Sequence, residues 1–198
     1  MPGQNKVTGV VLAGGQASRM NFQDKGLIEL HGRALISYAL AAMSPLVDEL
    51  LISANRNQES YSQYGYPVIS DNLQGFNGPL AGILAAMKQA RHPILLVMPC
   101  DAPLMQTAHL QSILLGLNDN TDIATATDGN RLHPVFLAIR TQLHGSLESY
   151  LQKGERKLSN WLLEHRVTEI NFSGKPELFI NLNTPAELAE LEKKISQN

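Results

Sequence analysis

A chain of 198 residues, 43% hydrophobic and 17% charged, is long enough to bury one substantial core and short for two. Its 16 basic and 18 acidic side chains leave a formal net charge of -2, which excludes the broad positive field that grips a nucleic-acid backbone, so the expected partners are small molecules. The single cysteine, Cys100, excludes an internal disulfide and a thiolate zinc cluster, and the histidines are dispersed without ligand spacing.

In chain order, the first apolar run, 7–12, is cut short by Gly14 and Gly15, too early for the apolar region of a signal peptide. No later run approaches the ~20 residues needed to cross a bilayer, and a cytoplasmic protein without membrane attachment is expected. Further Val-, Ile- and Leu-rich runs predict strands at 49–53, 68–70, 94–98, 123–127 and 135–139, and continuous runs of this length suit strands buried on both faces. Helical patterns separate them at 34–43, 59–64, 80–90, 107–117, 143–152, 157–165 and 185–195. Alternation of this kind predicts one domain spanning 1–198, a mainly parallel sheet with helices on both sides. Pro134 in front of an apolar run predicts a strand start there, with antiparallel pairing in the C-terminal part. Thr184, Pro185 and Glu187 form the start signal of the last helix.

Open α/β sheets bind ligands beyond the carboxyl ends of their strands, so the polar residues after each apolar run are the candidate site. The first such stretch is Leu12 to Lys25, LAGGQASRMNFQDK. Gly14 and Gly15 permit a sharp turn that brings backbone N–H groups close to phosphate oxygens, and Arg19 and Lys25 add charge. A bare Gly-Gly is more often a plain turn, and the stretch matches neither the dinucleotide fingerprint nor the P-loop. The second stretch, MPCDAP, puts Asp101 after the most apolar run, where a hard carboxylate oxygen suits Mg²⁺; alone, such an Asp is more often a cap or turn residue. Cys100 beside it reads as packing. The third comprises Ser70 to Asn72 and Asn77 to Gly82. Gly78 allows close approach of the backbone to a flat ring, and the Asp71 carboxylate can accept the adjacent N1–H and amine donors of guanine, a pair that cytosine lacks. An Asx-turn is the plain alternative for Asp71.

The string L-A-G-G-x-x-x-R-M followed by Asp24 and Lys25 resembles the signature loop of molybdenum cofactor guanylyltransferases, and further landmarks follow in order along nearly the whole chain. The resemblance implies a three-layer α/β/α, Rossmann-like nucleotidyltransferase fold and transfer of GMP from GTP to the terminal phosphate of molybdopterin, with Mg²⁺. It assigns GTP to Leu12, Ala13, Gly14, Gly15, Lys25, Ser53, Asn55, Asp71, Gly78 and Asp101, with Asp101 as metal ligand and Lys25, Asp101 and Arg19 as catalytic residues. It places the pterin at Arg156, in GERK, and at Asn181 and Asn183, in INLNTPAEL. A monomer with transient contacts to other cofactor-biosynthesis or insertion proteins is implied. Two departures stand out: Ser53 occupies a position where the family pattern has Asn, and Asn21-Phe22 follows Arg19-Met20 where Gly is common. The competing readings are a cytidylyl- or sugar-nucleotidyltransferase on the same scaffold and a non-catalytic nucleotide- or pterin-binding module.

Overall fold

The structure, a computed structural model, describes residues 6–13, 16–17, 23–71, 78–182 and 185–195. In chain order the strands and helices are β1 (Val7–Leu12), β2 (Gln16–Ala17), β3 (Gln23–Asp24), β4 (Glu29–Leu30), β5 (Arg33–Ala34), α1 (Leu35–Met43), β6 (Glu49–Ser53), α2 (Gln58–Ser62), β7 (Val68–Ile69) and α3 (Pro79–Gln89). They continue with β8 (Ile94–Pro99), α4 (Thr107–Leu115), β9 (Ile123–Thr127), β10 (Leu132–Arg140), α5 (His144–Gln152), α6 (Leu158–Leu162), β11 (Val167–Asn171) and α7 (Pro185–Ile195). No helix among the described residues is long and apolar enough to cross a membrane.

Seven strands form one sheet in the order β11-β9-β10-β8-β1-β6-β7, and β2-β3 and β4-β5 form two small ribbons. All neighbours in the large sheet pair in parallel except those of β10, which runs antiparallel to β8 and to β9. The expected mainly parallel sheet with antiparallel pairing in the C-terminal part is the observed one. Its continuous apolar strands are explained by the layers. Along β8, Leu96 and Met98 face the core shared with α1 and α4, whereas Leu95 and Val97 face the core shared with α3, α5 and α6. Every buried Leu or Ile on either face contributes roughly 1.5–3 kcal/mol, and β1 and β8 at the centre of the sheet have no polar face to offer water.

Several expectations are corrected. β10 begins at Leu132, ahead of Pro134, and Pro134 lies in a register irregularity between His133 and Leu137. A proline lacks the N–H needed for a regular ladder, so it is tolerated where the ladder is interrupted. The helices expected at 59–64 and 157–165 are the shorter Gln58–Ser62 and Leu158–Leu162, and the one expected at 107–117 ends before Gly116, whose N–H donates to the carbonyls of Ser112 and Ile113 in the last turn. Strand β11 was not expected: its residues are half-exposed or exposed, as suits an edge strand without a continuous apolar run. Thr184, proposed as the cap of α7, lies outside the described residues.

The β9–β11 edge is tied by a bidentate pair in which Arg166 Nε and Nη2 donate to Asp122 at 2.9 and 2.7 Å. Those hydrogen bonds hold the Asp122 carboxyl down to about 2. A depressed carboxyl contributes stability that is complete above roughly pH 4 and is lost as the pH falls through the folded value. Urea midpoints of Asp122→Asn and the parent are therefore expected to differ at neutral pH and to converge between about pH 4 and about 2. A gap of constant size across that window would contradict the pairing.

Candidate active site

The strand order reverses direction at β1: the chain runs outward through β6 and β7, then returns to β8 on the other side. α1 packs on one face and α3 on the other, so the carboxyl ends of β1, β6 and β8 open into a crevice at a topological switch point. The register sets Leu12 beside both Ser53 and Pro99. Beyond it, the Ala13 N–H donates to the Ser53 carbonyl at 2.8 Å and the Cys100 N–H to the Leu12 carbonyl at 3.0 Å. Ala13, Ser53 and the Cys100-Asp101 corner are thereby held side by side along one edge.

Lys25 reaches this edge from a separate direction. β2 and β3 pair antiparallel, with Gln16 opposite Asp24, and the chain passes from β3 straight into a 3₁₀ turn at Lys25–Leu27. The Lys25 Nζ donates to Asp101 Oδ2 at 3.0 Å, across 76 positions of sequence. Both side chains are mostly buried, 16% and 10% exposed. Asp101 Oδ1 accepts no hydrogen bond from any described residue. Among the described residues no three His, Cys, Asp or Glu side chains gather as a metal cage. One hard carboxylate without such a cage suits a divalent cation whose remaining ligands are waters and substrate phosphates.

Asn55 and Asp71 form a second group. Asn55 Nδ2 donates to Asp71 Oδ1 at 2.6 Å, and the Asp71 N–H donates to Asn55 Oδ1 at 3.0 Å. This reciprocal pair joins the ends of β6 and β7 and fixes the Asp71 carboxylate, which partial burial shifts upward while the Asn55 amide opposes that shift. Asn55 is thus a support for Asp71, a role the sequence did not suggest. Ser53 is buried, and a Cβ on Gly82 would come within 2.8 Å of its hydroxyl. A residue as small as Ser lets α3 close onto β6 here. Gly78 precedes Pro79 at the start of α3 with φ 122° and ψ -178°, a conformation that favours glycine. Cys100 is buried; burial first, then the nearby carboxylates, push its thiol well above its usual range, which agrees with a packing role.

Arg156 Nη1 donates to the carbonyls of Leu151 and Glu155 at 3.0 and 2.7 Å, so this part of its guanidinium closes the end of α5. Asn181 follows the 3₁₀ turn Pro176–Phe179. There Phe179 stacks on His133 with centroids 3.8 Å apart, and His133 Nε2 lies 2.9 Å from Asp128 Oδ2. This aromatic shelf escaped the sequence because its parts come from two separate segments, the β9–β10 hairpin and the turn at 176–179. Of the residues expected in the site, Leu12, Ala13, Lys25, Ser53, Asn55, Asp71 and Asp101 are brought to the crevice. Gly14, Gly15, Arg19 and Asn183 lie outside the described residues.

Residues 9–170 match the model of the MobA-like NTP transferase domain. A molybdenum cofactor guanylyltransferase of Shewanella loihica is 42% identical over 192 residues, 96% of this chain and 98% of that protein. Its counterpart in Shewanella sediminis is 42% identical over 193 residues, with 97% and 98% covered. Among solved structures, molybdopterin-guanine dinucleotide biosynthesis protein A from Archaeoglobus fulgidus superposes with a TM-score of 0.80 at 23% identity, over 96% of this chain and all of that one. The 2-C-methyl-D-erythritol 4-phosphate cytidylyltransferase of Thermus thermophilus gives 0.70 at 17%, with 98% and 100% covered. At such identities the likeness is one of fold, and it shows that this fold also serves cytidylyl transfer.

Proposed function

The chain belongs to the MobA-like NTP transferase family, and from that premise we propose that it transfers GMP from GTP to the terminal phosphate of molybdopterin, releasing pyrophosphate. The observation that carries this reading is the Lys25–Asp101 pair, 3.0 Å apart at the carboxyl edge of the central strands, in a crevice that also holds Asp71. A phosphate oxygen of the acceptor attacks the α-phosphorus of GTP in line, a new P–O bond forms, and the bond to pyrophosphate breaks. A phosphate monoester is already anionic near neutral pH, so no strong general base is needed; positioning and charge neutralisation dominate. Asp101 would hold Mg²⁺, which would supply positive charge to neutralise the triphosphate. The Lys25 ammonium places a compact positive charge beside them. Arg19 and Arg156 serve the acceptor phosphate, and Asn181 and Asn183 the pterin.

Guanine is preferred over cytosine because the Asn55–Asp71 pair presents a preset carboxylate. One oxygen receives the Asn55 amide, and no described residue donates to the other. Adjacent N1–H and amine donors complement such a carboxylate. The test supplies molybdopterin and Mg²⁺ with each nucleoside triphosphate in turn and measures pyrophosphate. GTP is expected to be used at least about 10²-fold better than CTP, because a site built to satisfy a donor pair rejects a base without it. Release with CTP and none with GTP would refute the assignment and favour the cytidylyl alternative.

A further inference from the structure

Beside Lys25 lies a second carboxylate that the proposed chemistry leaves unused. Asp24 is 7% exposed, and three donors converge on it: the Gly26 N–H at 3.3 Å and the Tyr61 hydroxyl on Oδ1, and Asn57 Nδ2 at 3.2 Å on Oδ2. Tyr61 is fully buried, and its hydroxyl also lies 3.3 Å from the carbonyl oxygen of Ala13 in the nucleotide loop. Burial pushes the phenol far above its usual range, so it stays protonated and donates. Gly26 is fitted to the same spot, since a Cβ there would run into the Tyr61 hydroxyl. The turn bearing Lys25 is therefore pinned from α2, the helix that follows the nucleotide-facing segment 53–56.

We propose that Tyr61 is a positioning residue for nucleotidyl transfer: by holding Asp24 it locks the Lys25–Leu27 turn and aims the Lys25 ammonium at Asp101 and the triphosphate. The proposal rests on the guanylyltransferase reading of the site. Lys25 has a long, flexible stem, and only a fixed root keeps the volume it searches small. Asn57 supplies the second brace from the residue preceding α2, in a left-handed conformation with φ 51°.

Tyr61→Phe removes one oxygen and keeps the ring that fills the core. Asn57→Gly removes the other brace and tolerates the left-handed backbone, which keeps the question open to an answer if Tyr61→Phe folds poorly. Two measurements are made on each. Backbone hydrogen exchange in the peptide covering 24–28 is expected to quicken by about 10-fold, while exchange in β1 and β8 stays at the parent rate. GTP affinity with Mg²⁺ is expected to fall about 5-fold in the parent background and by less than about 2-fold once Lys25→Ala is present, because the brace acts through Lys25. Unchanged exchange at 24–28, or an equal loss of affinity with and without Lys25, would overturn the proposal. A parent protein that binds no GTP would instead refute the guanylyl reading, and the exchange result alone would then decide the role of Tyr61.

Discussion

Asp101→Asn is expected to lower guanylyl transfer by about 10²-fold or more while leaving the fold intact, since removal of a charge contact that acts on the transferring phosphoryl group typically has that effect. The choice of Asn matters. Asp101 is also the counter-ion of Lys25 at 3.0 Å, and both side chains are largely withdrawn from water. Truncation to Ala leaves that ammonium facing a gap, and loss of one partner from a fully buried pair costs about 3–5 kcal/mol. Neither side chain is completely buried, at 16% and 10% exposed, so roughly 1–2 kcal/mol is the expected cost here. Asn keeps the volume and one carbonyl oxygen for Lys25 and removes the negative charge that a divalent cation requires. The check is a turnover assay paired with a melting curve. Near-full turnover by Asp101→Asn would remove Asp101 from the metal's ligands.

The second large effect is expected from Lys25→Ala, with kcat/KM down by about 10²–10³-fold, because in the proposed reaction the ammonium would neutralise charge that grows as pyrophosphate departs. Lys25→Arg is expected to recover little of it. The planar guanidinium is built for bidentate contacts and does not fit a point-charge role next to a single carboxylate oxygen. One consequence separates Lys25 from an ordinary surface cation. Its Nζ occupies Asp101 Oδ2, so in the absence of nucleotide it competes with a divalent ion for that oxygen. Titration of the nucleotide-free protein with Mn²⁺ is expected to show tighter binding in Lys25→Ala than in the parent, although turnover is lower. Weaker metal binding in the variant would mean that the pair does not exist in solution.

Strands β1, β6 and β9 were legible to the residue, β1 and β6 because burial on both faces of a parallel sheet leaves a largely apolar run, and β9 because its Ile and Thr residues are β-branched and suit a buried strand. Edge strand β11 was not: Thr168, Glu169 and Asn171 interrupt its pattern where one side of the strand meets solvent. The positions of Lys25 and Asp101 were legible as strand-end polar residues, but not their ion pair, because the 76-residue separation carries no local signal. The same holds for Asn55, legible as a nucleotide contact and found braced against Asp71. It holds most for Tyr61, which on sequence alone is one more apolar-face residue of a short helix; only tertiary structure brings its hydroxyl to Asp24. Tight packing leaves a trace in composition, whereas a polar network assembled from distant segments leaves almost none.

The central claim is that one carboxylate at the tip of β8 and one ammonium from the turn after β3 together receive a guanosine triphosphate. Its most direct test is a crystal structure of the protein with GTP and Mn²⁺, located by the metal's anomalous signal. The metal is expected on Asp101, with the triphosphate against Lys25 and guanine at Asp71. Density placing the nucleotide away from both Lys25 and Asp101 would contradict it.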